Sequence, residues 1–116
     1  MNKAIIIISY SILFGQITIM PQGRDLIQNA LLMERRGDVE RARTLYEEIL
    51  RESPGNRQAY QRLKEILKRT GELESATQLV ENWIDLNPND LQANIELGEI
   101  LFLKKKETRG GKIWHD

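Results

Sequence analysis

The chain has 116 residues and no cysteine, so it forms one domain at most, and disulfides, thiolate nucleophiles and cysteine-held metals are excluded. Lysine plus arginine number 17 and aspartate plus glutamate number 17, which leaves no basic footprint for nucleic acid over the chain as a whole. Charged residues at 29% against aromatics at 6% point to a soluble helical protein rather than a β-sandwich.

Residues 1–20 stand apart from the rest. Lys3 is followed by 17 uncharged residues from Ala4 to Met20, while all 17 acidic residues and 16 of the 17 basic ones lie beyond Pro21. A short positive start and an apolar stretch make the layout of a secretory signal peptide. No small-residue pair marks a clean cleavage site, and 17 residues reach the lower limit of a spanning helix, so an uncleaved membrane anchor stays open. A buried core element is the third reading. Export is therefore expected, to the periplasm or the cell exterior, with anchoring at a membrane face through residues 1–20 as the alternative.

From residue 21 onward the apolar residues follow helical spacing. Leu26, Ala30 and Met33 define a first helix that Gly37 ends, since glycine suits the left-handed residue after a helix. Asp38 is placed to cap a second helix with Val39, Ala42, Leu45, Tyr46 and Ile49 on one side. Pro54 stops it, and Asn56 is placed to cap a third helix carrying Tyr60, Leu63 and Leu67. A turn at Gly71 leads to a fourth with Leu73, Ala76, Leu79, Val80 and Trp83. After "NPND" a fifth helix is predicted from about Asp90 to Leu103.

These elements repeat. A shift of 34 residues lays "GDVERARTLYEEIL" over "GELESATQLVENWI" and brings Pro54 onto Pro88. The same shift lays Arg57–Leu67 over Leu91–Leu101 with 6 of 11 positions identical, where unrelated sequence gives about one. The unit is a helical hairpin. Ala42 and Ala76 sit where a small side chain lets two helices approach closely.

Period, turn glycine, small alanine early in the second helix and closing proline resemble the tetratricopeptide repeat (TPR). The resemblance covers about residues 23–103. The family's large residue at the start of the first helix is matched by Leu26 and Tyr60 and poorly by Asn94; the following leucine is present as Leu63 and Leu97 but not at Asn29. The next slot, glycine or alanine in the family, holds Ala30 and Gly98 but Lys64 departs, and Trp83 fills a slot usually small. The expected fold is all-α: an α-solenoid of antiparallel hairpins, two TPR-like repeats plus a fifth helix. The domains read as 1–20 signal or anchor, 21–103 repeat domain and 104–116 a basic, disordered tail. The fifth helix is apolar on too many sides for a cap, which favours a piece of a longer array.

The resemblance implies a function in protein–protein contact, as a scaffold or adaptor that holds a partner's peptide or helix in a concave groove lined by first helices. Carried over residue by residue, the groove candidates are Arg24, Ile27, Leu31 and Arg35, then Gln58, Gln61, Glu65 and Arg69, then Gln92, Ile95 and Glu99. The alternatives are a non-catalytic module of a longer enzyme or sensor, and a structural spacer. Chaperone-adaptor members of the family grip a terminal carboxylate with lysine and asparagine; the matching slots here read Ile27 and Leu31, or Gln61 and Glu65, so that clamp is not expected.

Chemistry is not expected. The one histidine, His115, stands in the tail, and adjacent carboxylates such as Glu47 and Glu48 point apart around a helix. No glycine-rich phosphate loop occurs, and Lys104–Lys106 with Arg109 and Lys112 read as a solvated end. The chain is thus read as no enzyme, with no cofactor, no metal, no small-molecule substrate and no nucleic acid partner; its partner is a protein or peptide.

Overall fold

The structure, a computed structural model, describes residues 23–115, with side-chain detail from Asp25 to Arg109. The N-terminal segment read as signal or anchor lies outside the described residues, as does the Arg24 side chain. Five helices follow in order: α1 (Gly23–Arg35), α2 (Val39–Glu52), α3 (Arg57–Arg69), α4 (Leu73–Leu86) and α5 (Leu91–His115). Each packs on its neighbours in sequence, so the hairpins stack in a row. No strand occurs among the described residues.

Local chemistry sets the boundaries. Gly37 and Gly71 take φ of 82° and 76°, a left-handed conformation that a β-carbon disfavours. Each closes a Schellman motif: Asp38 N donates to Met33 O at 2.8 Å, and Glu72 N donates to Leu67 O at 2.9 Å. Asp38 accepts from Arg41 N, Asn56 from Ala59 N and Asp90 from Ala93 N, so three helix starts carry side-chain caps. Ala42 and Ala76 are fully buried and share one core cluster with Tyr46, Ile49, Ile66, Val80 and Ile100.

The fifth helix differs from the sequence expectation. It does not give way to a tail at residue 104 but continues to His115. Lysines, glutamate and threonine from Lys104 to Thr108 are compatible with a helix that is polar all round, and Thr108 Oγ1 bonds back to Lys104 O. Lys104 also pairs with Glu74 on α4, tethering the first turn beyond the packed part. The excess apolar character of α5 is visible as exposure: Leu101 is 45% exposed, whereas its repeat equivalent Leu67 is 3% exposed.

Candidate functional site

The groove candidates are distributed by the repeat itself. Residues 34 apart occupy equivalent places on the first helix of each unit, so α1, α3 and α5 present the same face in turn. On α3, Gln58, Gln61, Glu65 and Arg69 fall at steps of three and four and are all exposed, forming a polar strip. On α5, Gln92, Ile95 and Glu99 are exposed at the equivalent places. On α1, Arg35 is exposed and Leu31 half-buried.

Ile27 is a correction. It shares its register slot with Gln61 and Ile95, yet it is buried in the core cluster with Ala30. An isoleucine gains by leaving water, where the glutamine at the equivalent place would lose its hydrogen bonds. It is not a surface residue for a partner.

Behind the strip lies a charged knot that sequence reasoning missed. Glu34, near the end of α1, accepts from Tyr46 Oη at 2.6 Å and from Arg62 Nε at 3.0 Å. Arg69, itself a groove candidate, stands 3.6 Å from the same carboxylate. Burial pushes the Glu34 carboxyl up, but the hydrogen bonds from Arg62 and Tyr46 and the charges of Arg62 and Arg69 outweigh it, leaving the group below its usual range. Burial and the neighbouring carboxylate push the Tyr46 phenol well above its ordinary value. The knot fixes α3 to the first hairpin and so orients the strip. Its members lie on three helices between Glu34 and Arg69, and no local pattern announces them.

A second knot joins α3, α4 and α5. Trp83 stacks on Tyr60, Arg57 lies 5.2 Å above the Trp83 ring, and Trp83 Nε1 donates to Asp90 at 3.0 Å. Asp90 also caps α5 and sits 3.3 Å from Arg57. The hydrogen bonds from Trp83 and the Ala93 backbone hold its carboxyl below the ordinary value. Lys64, the departure from the small residue of the family pattern, is buried and paired with Glu96 of α5, with its ammonium 5.1 Å from the Tyr60 ring.

None of these groups is arranged for reaction. The carboxylates of both knots are occupied by arginines, a tyrosine, an indole or a lysine, and among the described residues no cluster of His, Cys, Asp or Glu could hold a metal ion. The strip carries two amides, each with donors and an acceptor, and one charge of each sign. A profile of the tetratricopeptide repeat family matches residues 35–95, more than half of the sequence. The chain belongs to the tetratricopeptide repeat family. Among solved structures this TPR chain is similar to one named "MamA RS-1 ArsTM double mutant", with a TM-score of 0.60 and 22% identity over 77% of this chain and 50% of that one. It therefore spans half the length of that solved chain, and the likeness is one of fold. No curated protein matches. TPR units are typically non-catalytic modules that mediate contact between proteins, and no catalytic family is indicated for this one.

Proposed function

We propose that this TPR chain is an exported scaffold or adaptor that holds an extended peptide or a helix of a partner along its first-helix faces. The observation that carries the reading is the exposed polar strip Gln58–Gln61–Glu65–Arg69. These side chains line one face of a helix whose back is fixed by the knots. A preorganised surface loses little entropy on binding, which is what recognition by modest polar contacts requires. Leu31 on one side and Ile95 on the other supply apolar contacts at the ends of the strip.

The test is selection of ligands from a displayed peptide library with the full chain, followed by titration of the best ligand. Gln61→Ala with Glu65→Ala removes exposed side chains that belong to neither knot, so the fold is expected to be retained. Affinity is expected to fall about tenfold or more; unchanged affinity places the site elsewhere. Export is proposed from the composition of residues 1–20, and a reporter fused after Gly23 that stays in the cytoplasm refutes it.

A further inference from the structure

Two guanidinium groups gather on one carboxylate where α1 meets α3. Arg62 Nε donates to Glu34 Oε1 at 3.0 Å and its Nη2 pairs with Oε2, so this arginine takes both oxygens. Arg69 Nη2 stands 3.6 Å from Oε2, close enough to feel the charge but beyond a hydrogen bond. The Glu34 side chain is 10% exposed, that of Arg62 41% and that of Arg69 60%. The carboxylate is thus enclosed, while both cations reach the surface with N–H groups still to bond.

Arg35 adds a third guanidinium. It follows Glu34 in the chain, holds on α1 the register slot that Arg69 holds on α3, and is exposed. Among the described residues it forms no ion pair. The equivalent on α5 is Leu103, so the cluster is confined to the ends of α1 and α3. Lys68 holds the slot of Glu34, which turns toward the following first helix, and Arg36 lies past the end of α1. The nearest further carboxylate by register is the exposed Glu65, one turn before Arg69. Arg35, Arg62 and Arg69 against Glu34 and Glu65 leave a surplus of one positive charge.

We propose that Arg69, Arg35 and Arg62 form an anion subsite that takes one Asp or Glu side chain of the partner's peptide; this rests on the groove proposed above and names the chemistry at one end of it. A carboxylate offers two oxygens to forked N–H donors, and its single charge closes the surplus. A phosphate dianion would overshoot it. Glu34 acts as a positioning residue: it anchors the guanidiniums but cannot balance two of them alone. Glu65 disfavours an acid seated one turn earlier, which confines the partner's carboxylate to the Arg35–Arg69 row. That row lies one turn past the Ile27, Leu31, Gln61 and Glu65 slots, so the subsite is distinct from the terminal-carboxylate clamp.

The experiment selects short random peptides from a displayed library with the full chain. The selected peptides are expected to share an Asp or Glu at one position. The tightest is then titrated as selected, with Gln in place of that acid and with phosphoserine there, against the parent, Arg69→Gln and Arg35→Gln. Both arginines are exposed, so both variants are expected to fold, and circular dichroism checks it. Replacing the peptide's acid by Gln should weaken binding to the parent about tenfold. The same replacement should matter less than about twofold for Arg69→Gln, and less for Arg35→Gln than for the parent. Peptides that share no acid overturn the subsite, as does an acid whose loss costs parent and Arg69→Gln alike. If Gln61→Ala with Glu65→Ala still weakens those peptides, the groove stands without the subsite. Tighter binding with phosphoserine than with the acid overturns the assignment to a carboxylate. Selection of no peptide at all overturns the groove and the subsite together.

Discussion

The indole of Trp83 lies on the ring of Tyr60 with centroids 4.2 Å apart and planes 8° from parallel. This contact joins the first helix of the second repeat to its second helix, in a slot where the family usually has a small side chain. A large ring is accommodated there because it stacks on another ring and because its N–H reaches Asp90. The pair is more than a filled space.

Trp83→Ala is expected to destabilise the chain by about 3–5 kcal/mol, combining lost burial with the cavity left behind. A double-mutant cycle with Tyr60→Leu and Trp83→Leu should show a coupling of about 0.5–1.5 kcal/mol from the stacked geometry. Urea unfolding of the four proteins measures it, and strict additivity would mean that the rings only fill volume.

The Glu34 knot predicts a pH dependence. Its folded value lies below the ordinary 4.5, so its stabilising contribution is present above pH 4.5 and is lost as pH falls through the folded value. Glu34→Gln should cost about 1–3 kcal/mol at neutral pH by loosening the bonds to Arg62 and Tyr46. It should also flatten the acid limb of stability relative to the parent. Tyr46 works in the opposite direction: its folded value is raised above 10.0, so the neutral phenol contributes below pH 10 and that contribution is lost as pH rises through the folded value. Tyr46→Phe should therefore flatten the alkaline limb. Denaturation midpoints across pH decide both, and parallel curves for parent and variants would refute them.

Lys64 and Glu96 form an ion pair with side-chain exposures of 5% and 13%. Lys64→Ala restores the small residue of the family pattern but strands the Glu96 carboxylate, and should destabilise by about 3–5 kcal/mol. Lys64→Met combined with Glu96→Leu removes both charges and should recover most of that loss. If Lys64→Ala alone unfolds like the parent, the pair contributes nothing.

Gly71 separates backbone strain from packing. At φ 76°, an added methyl group meets no atom within 4 Å, so Gly71→Ala should lose about 1–2 kcal/mol through conformation alone. Gly71→Asn should lose less, since asparagine visits this region more readily. Thermal melts that rank asparagine below alanine would argue against the turn as described.

Local features were legible before any coordinate. The turn glycines, the Asp38 and Asn56 caps and the buried Ala42 and Ala76 depend on residues within one helix or one turn, where spacing and side-chain chemistry act directly. The end of α5 was not legible, because the run after Leu103 has no apolar stripe and only the helix propensity of its lysines and glutamate speaks for a helix. Ile27 was misplaced because register alone does not distinguish a surface slot from one that an apolar residue draws inward.

The 116 residues by themselves determined the repeat of 34, the all-α architecture and membership of a family of binding modules. Each follows from periodicity, turn chemistry and the spacing of small residues, which are properties of short windows. Only the tertiary structure decided which distant groups meet. Glu34 finds Arg62 across 28 residues and Lys64 finds Glu96 because stacked hairpins bring first helices side by side, while Trp83 finds Tyr60 across one hairpin, and low exposure of Glu34, Lys64 and Glu96 makes an unpaired charge unfavourable. It also decided what stays uncovered: the polar strip of α3 and the exposed Leu91, Ile95 and Phe102 of α5.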